Sequence, residues 1–241
     1  LHDDVVDTSE LRRGQATANT KYGNAPSVLV GDFLYSRAFQ MLVAIGHIGI
    51  MKIIATSTNI ISEGEVQQLI NARNSNINET EYKQVIFKKT AVLFEAASEI
   101  GALIAQSTSK QQAALSSYGR HVGMAFQLMD DALDYDGDIK VLGKNIGDDL
   151  TEGKTTLPLI YAMKNGTKQQ SLLIQEAIKN ANFDKLDAIC DILKTTGALN
   201  YTKSSAHTHA LKATQSLESL PDTKEKRAMI EIAKFSVERN Y

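Results

Sequence analysis

Three prolines, Pro26, Pro158 and Pro221, punctuate a chain of 241 residues, and their scarcity constrains its fold more than any other feature. Proline removes a backbone donor and clashes with the preceding helical turn, so long proline-free stretches permit long helices. Those stretches carry the matching pattern. Across residues 27–71, apolar side chains such as Val30, Phe33, Leu34, Phe39 and Leu42 recur at steps of three and four, and residues 80–106 and 111–135 behave likewise. No set of alternating β-branched runs is bounded by hairpin dipeptides, so strands are not expected. The expected fold class is all-α. After Pro158 the helices are shorter and more polar, at residues 169–180, 184–195, 198–220 and 223–240. The polar breaks at 12–26, 73–79 and 136–153, and around Gly166 and Gly197, are too short and too mixed to be interdomain linkers. A single domain spanning 1–241 follows, with a larger N-terminal helical core and a C-terminal annex, and no fixed-period repeat.

Charge narrows the function. With 26 Lys and Arg against 28 Asp and Glu, the net charge is −2, which argues against a general nucleic-acid binder. Cys190 is the single cysteine, so neither an internal disulfide nor a cysteine-based zinc site forms, and a reducing, cytoplasmic location is expected. The most apolar run, residues 41–54, contains His47 and Lys52 and follows Asp32 and Arg37, so no integral membrane segment is expected. The chain opens at Leu1, already inside an acidic motif. Termini fray and hold ligands poorly, which implies upstream sequence, and N-terminal helices, beyond this chain.

Two acidic clusters carry the chemistry, Asp3-Asp4-Val5-Val6-Asp7 and Asp130-Asp131-Ala132-Leu133-Asp134. On a helix, residues three and four apart share a face, so each cluster projects carboxylates a turn apart. Both lie against apolar residues, Val5 and Val6 in one case, Phe126, Leu128, Met129 and Leu133 in the other. Partly desolvated like charges are costly unless a cation or a basic side chain holds them. Oxygen-only ligands in this number suit Mg²⁺, which keeps several waters and bridges carboxylates to phosphates. A single such cluster is readily a solvated helix face; two, both inside amphipathic helices, are much less so.

Basic and polar residues supply the complement. Arg12 and Arg13 follow the first cluster, Lys89-Thr90 sits on a central helix, Gln127 lies one turn before Asp131, and Lys144 and Lys154 flank Asp148 and Asp149. Arginine suits bidentate contact with diphosphate oxygens. Together these residues outline an anion held between metals and cations. Competing motifs fail. Gly153-Lys154-Thr155 has Asp148 where a P-loop needs its first glycine, and no His lies three residues after any Glu, as a helical di-iron site requires. His2, His47, His121, His207 and His209 show no ligand spacing; His47 is read as core-associated and the rest as ordinary.

In this order, the residues resemble the trans-isoprenyl diphosphate synthases, or polyprenyl synthetases. The matching stretches are residues 1–14 (LHDDVVDTSELRRG), 31–37 (GDFLYSR), 89–91 (KTA), 126–135 (FQLMDDALDY) and 143–159 (GKNIGDDLTEGKTTLPL). The similarity covers most of the chain and is weakest after about Gly166. Within the family it is most similar to the bacterial octaprenyl diphosphate synthases of quinone side-chain synthesis, to which the segment Glu63-Gly64-Glu65-Val66-Gln67-Gln68-Leu69 adds.

The resemblance implies an antiparallel helical bundle, with the two acidic helices facing across a deep cavity, and a homodimer. It implies metal ligation by Asp3, Asp4 and Asp7 from one wall and by Asp130, Asp131 and Asp134 from the other. Arg12, Lys89, Thr90, Gln127 and Lys154 would hold an allylic prenyl diphosphate, with Lys89, Gln127 and Lys154 acting in its ionisation. Arg13 would contact isopentenyl diphosphate and Lys144 would help close the site. Members also carry an upstream Gly-Lys-x-Arg motif that this chain begins after. Two readings stand beside this one: a class I terpene cyclase, which usually replaces the second acidic motif, and a non-catalytic partner subunit, which tends to lose acidic residues.

Overall fold

The computed structural model describes residues 1–12, 14–136, 147–181 and 183–238. It is helical nearly throughout, as proline scarcity and the apolar period require. In chain order the helices are α1 (His2–Val6), α2 (Ala18–Tyr22), α3 (Asn24–Ile45), α4 (Ile48–Asn71), α5 (Glu79–Ile86), a π turn (Phe87–Ala91) and α6 (Val92–Ile104). There follow α7 (Ser109–Asp136), α8 (Asp148–Thr151), α9 (Leu157–Asn165), α10 (Lys168–Asn180), α11 (Leu186–Thr195), α12 (Ala198–Ser216) and α13 (Lys224–Glu238). The first polar break holds a feature that periodicity does not signal, a two-residue antiparallel hairpin pairing Leu11 with Ala16 and Arg12 with Gln15.

Local signals explain the element boundaries. The single periodic stretch read over 27–71 divides at Gly46, whose φ of +70° ends α3 in the left-handed conformation that glycine adopts without strain. His47 then caps α4, its Nδ1 accepting from Ile50 N at 3.4 Å, and its ring is exposed rather than core-associated. A capping box opens α5, with Asn78 accepting from Glu81 N and the Glu81 carboxylate accepting from Asn78 N. Thr167 and Gln170 do the same for α10.

The core is organised around α7. Leu128, Ala125, Met129 and Leu133 on α7 pack with Ile86, Ala91, Leu157 and Ala206 in the central cluster. Tyr118 and Val122, nearer the start of α7, join Ala213, Leu217 and Ala233. Tyr135 at its end belongs to a separate annex core with Leu150, Ile174, Ile189 and Leu193. Close approach of α6 depends on two glycines. A methyl group on Gly123 would lie 2.5 Å from Ala91 Cα, and one on Gly119 would lie 2.6 Å from Ser98 Oγ.

By contrast, α3 buries only Ser27 and Gly31. Val30, Phe33 and Leu34, whose period announced a helix, are exposed together with Leu29, Tyr35, Met41, Val43 and Ile45. Among the described residues, α3 is the one helix long and apolar enough to cross a membrane by length and composition alone, its 22 residues including an 18-residue window of mean hydropathy 1.4. His2 ties α1 to this helix, its Nε2 lying 3.0 Å from Val28 O and 3.2 Å from Asp32 Oδ1.

Candidate active site

The first acidic cluster is built on α1 and the turn after it. Asp4 is 4% exposed and faces Arg12, whose Nε and Nη2 lie 2.8 and 2.7 Å from its Oδ1. The hydrogen bond to Asp4 holds the Arg12 guanidinium above its ordinary pKa against partial burial. The hairpin at Leu11–Arg12 turns the chain back so that this arginine reaches α1. Below it, Thr17 Oγ1 donates to Ser9 O at 2.7 Å and Asn19 Nδ2 donates to Asp4 O at 3.3 Å, tying hairpin, α1 and α2 into one unit.

Asp3 and Asp7 are half-buried, and Asp3 Oδ2 also lies 3.8 Å from Arg12 Nη2. Asp3 Oδ1 lies 3.3 Å from Lys89 Nζ, and Asp7 Oδ2 lies 3.4 Å from Lys154 Nζ. Lys89 and Thr90 sit in the π turn rather than in a regular helix. The extra residue of such a turn re-aims side chains, and these turns recur at functional sites. Lys89 is also paired with Glu65 on α4 at 3.1 Å. Burial raises the Glu65 carboxyl and Lys89 opposes that rise. The approach of α4 needs Gly64, since a methyl there would meet Lys88 Cβ at 2.8 Å and Lys89 N at 3.0 Å.

On the second cluster, the three aspartates part company. Asp130 is half-buried, whereas Asp131 and Asp134 are 2% and 0% exposed. Asp131 Oδ1 accepts from Gln127 Nε2 at 2.7 Å and its Oδ2 accepts from Tyr82 Oη at 2.6 Å. Burial pushes its pKa up to about 7, Asp149 adding to the rise while the two hydrogen bonds oppose it. Gln127 Oε1 in turn accepts from Thr90 Oγ1 at 2.9 Å. Asp134 Oδ2 accepts from Asp149 N at 3.3 Å.

The two clusters are therefore stitched together twice. At one end the path runs from Asp3 to Lys89, and its neighbour Thr90 continues through Gln127 to Asp131. At the other it runs from Asp7 through Lys154 and Asp149 to Asp134. Lys154 contacts Asp7, Asp149 at 3.9 Å, and Glu152 most closely of all. Burial opposes its charge, yet Asp149, Glu152 and Asp7 outweigh that cost and hold its pKa well above the usual lysine value. A cleft of about 510 Å³ beside this lysine is lined by Asp7, Arg73, Asp148 and Glu152.

Sequence reasoning thus names residues that the structure brings together: Asp3, Asp4, Asp7, Arg12, Lys89, Thr90, Gln127, Asp131, Asp134 and Lys154. Arg13 and Lys144 lie outside the described residues. It missed Glu65, Tyr82 and Glu152. Glu65 lies in a segment singled out for another reason; Tyr82, on the apolar face of α5, reads as core. Among the described residues no three metal-ligating side chains converge on one point.

A family model described as polyprenyl synthetase matches residues 1–195. The chain belongs to the polyprenyl synthetase family. Octaprenyl diphosphate synthase of Haemophilus influenzae is 49% identical over 242 residues, covering 100% of this chain and 74% of that protein. The octaprenyl diphosphate synthase of Escherichia coli is 47% identical over 241 residues, covering 100% of this chain and 75% of its own length. Among solved structures, the polyprenyl synthase of Caulobacter crescentus, complexed with calcium and isoprenyl diphosphate, superposes with a TM-score of 0.95 at 41% identity, covering 100% and 74% of the two chains. A decaprenyl diphosphate synthase from Rhodobacter capsulatus gives 0.93 at 38% identity, again over 100% and 74%. This polyprenyl synthetase has the all-α fold of its structural relatives and is a trans-prenyltransferase. Neither the cyclase nor the partner-subunit reading finds support in these relatives.

Proposed function

We propose that the enzyme condenses isopentenyl diphosphate with an allylic prenyl diphosphate, farnesyl diphosphate in the first instance, into an all-trans polyprenyl diphosphate of octaprenyl length for quinone side chains. The observation that carries this reading is the double stitching of the acidic clusters by Lys89 and Lys154. It is an arrangement of opposed carboxylates and cations suited to a diphosphate with its metal ions. Octaprenyl length rests on the 47 to 49% identical relatives.

Magnesium is the cation we propose, and the donor set fits it: hard oxygen ligands, with an ammonium group already standing among Asp7, Asp149 and Glu152. Asp3, Asp7 and Asp130, which keep accessible oxygens, would hold it, while Asp4 and Asp134 brace the two walls from behind. Bound Mg²⁺ supplies electrostatic stabilisation of the charge that develops as diphosphate departs. Arg12, Lys89 and Lys154 meet the same diphosphate oxygens with positive charge, and the second Nε2 hydrogen of Gln127, whose amide Thr90 Oγ1 braces, adds a neutral hydrogen bond. Arg13 is assigned to isopentenyl diphosphate and Lys144 to closure of the site. The allylic cation must be kept from water. The double bond of isopentenyl diphosphate then attacks, and the departed diphosphate takes the proton that is lost.

A homodimer in the cytoplasm completes the reading. Its support is the exposed apolar length of α3, where Tyr35, Phe39 and Val43 line a shallow groove of about 500 Å³.

The test is product analysis after incubating the full-length protein with labelled isopentenyl diphosphate, farnesyl diphosphate and Mg²⁺. Linear prenyl diphosphates of octaprenyl length are expected. A cyclic hydrocarbon, or no product with geranyl or farnesyl primers, would overturn the reading.

A further inference from the structure

Tyr82 is buried in the central core among Ile77, Ile86, Met129 and Leu133, yet its hydroxyl leaves that apolar surrounding for a single charged partner. Oη donates to Asp131 Oδ2 at 2.6 Å, across 49 positions of sequence. Asp131 is nearly inaccessible, and its other oxygen is taken by Gln127 Nε2 at 2.7 Å. Both carboxylate oxygens are therefore directed at protein donors, not at the cavity. Gln127 is oriented from both sides of its amide, since Oε1 accepts from Thr90 Oγ1 at 2.9 Å. An amide whose oxygen is held by a hydroxyl and whose nitrogen is held by a carboxylate cannot flip without losing both bonds. The second Nε2 hydrogen consequently points in one fixed direction.

We propose that Tyr82 is a positioning residue for allylic diphosphate: through Asp131 it locks the amide of Gln127, which Thr90 Oγ1 braces from its other side, so that the second Nε2 hydrogen is fixed for the diphosphate. Asp131 in this arrangement is the internal anchor of a relay and not a metal ligand. The relay shares α5 and its π-turn continuation, so one helix carries Tyr82 behind the site and Lys89 and Thr90 in front of it, seven and eight residues later. The inference rests on the transferase reading above.

Tyr82→Phe removes one oxygen and leaves the core packing in place; Asp131→Asn keeps shape and one acceptor oxygen but sets its amide NH2 against one of the two donors, Tyr82 Oη or Gln127 Nε2. The experiment measures equilibrium binding of farnesyl diphosphate by calorimetry, Mn²⁺ binding in its presence by electron paramagnetic resonance, and KM for each substrate. Circular dichroism and thermal melts verify folding, and either variant suffices if the other does not fold. Both variants should weaken farnesyl diphosphate roughly 10- to 100-fold, the usual consequence of losing a hydrogen bond to a charged group. Mn²⁺ stoichiometry and the KM for isopentenyl diphosphate should stay at wild-type values, whereas Asp130→Asn should lose Mn²⁺. Unchanged farnesyl diphosphate affinity in Tyr82→Phe, or loss of Mn²⁺ in Asp131→Asn equal to that in Asp130→Asn, would overturn the relay while leaving the transferase reading intact. A wild-type protein that binds no farnesyl diphosphate would overturn both.

Discussion

Lys154 Nζ stands 3.4 Å from Asp7 Oδ2, although 147 positions separate the two residues. The contact closes the acidic wall of α1 onto the loop that follows the second cluster, and Asp149 and Glu152 join it from the loop side. Replacing Lys154 with Met keeps the stem and deletes the charge, leaving three partly buried carboxylates facing one another. Turnover should fall by at least two orders of magnitude, because cationic stabilisation of the departing diphosphate is lost with it. Steady-state kinetics on Lys154→Met test this; wild-type kcat would exclude the assigned role.

The same lysine makes a statement about pH. Its pKa is raised in the folded state, so the stability it contributes is fully present below the ordinary lysine value and is lost only as pH climbs through the raised one. Between pH 6 and 9 Lys154 should therefore add no pH dependence to stability. Thermal melts of wild type and Lys154→Met across that range should differ by a constant offset.

A pH dependence on the acid side should come from His121 and His209 instead. Their Nδ1 atoms lie 3.0 Å apart between α7 and α12, so one ring donates and the other accepts, and the pair is neutral. Burial lowers both, with Lys212 nearby in each case, Arg120 facing His121, Lys83 facing His209, and Glu95 alone opposing; His209 falls to about 4. Histidine in an unfolded chain titrates near 6.5, so unfolding takes up protons below that pH. The pair's own contribution to stability should decline as pH falls below about 6.5 and level off near 4, by on the order of 1 to 2 kcal/mol after solvent screening of a half-exposed pair, against an opposite contribution from the raised carboxyl of Asp131. Denaturant titrations of His209→Gln, compared with wild type at pH 7 and pH 5, should show this component removed.

Asp3→Ala and Asp130→Ala should lower turnover by orders of magnitude while preserving helicity, since each removes an accessible oxygen from one wall of the proposed metal site. Far-ultraviolet circular dichroism alongside product assays separates this from unfolding. Wild-type rates in either variant would sink the metal assignment.

Gly123→Ala tests packing rather than chemistry. The added methyl meets the backbone of Ala91 at 2.5 Å, where no flexible side chain can yield. Overpacking of this kind costs about 1 to 3 kcal/mol, readable as a lower denaturant midpoint at unchanged slope. Because Ala91 ends the π turn, activity should fall as well.

The chain's own sequence determined its helical class, most of its helix boundaries and the identity of its charged site residues, because these depend on local quantities: proline spacing, a three-to-four residue apolar period, and carboxylates placed a turn apart. Lys89, Lys154 and Arg12 were legible as cations, but not which carboxylate each would meet, since Lys89 to Asp3 and Lys154 to Asp7 are contacts across the whole fold. Only the tertiary structure separated accessible Asp3, Asp7 and Asp130 from buried Asp4, Asp131 and Asp134, because an Asp-Asp-x-x-Asp pattern spans more of the helix circumference than one cavity-facing stripe. It likewise placed the core around α7 and left the apolar face of α3 exposed, a distinction periodicity cannot make, since a face that buries in a core and one that meets a partner share the same period. Tyr82 was invisible for the same reason. An aromatic residue on a buried face reads as packing until its hydroxyl is found on Asp131.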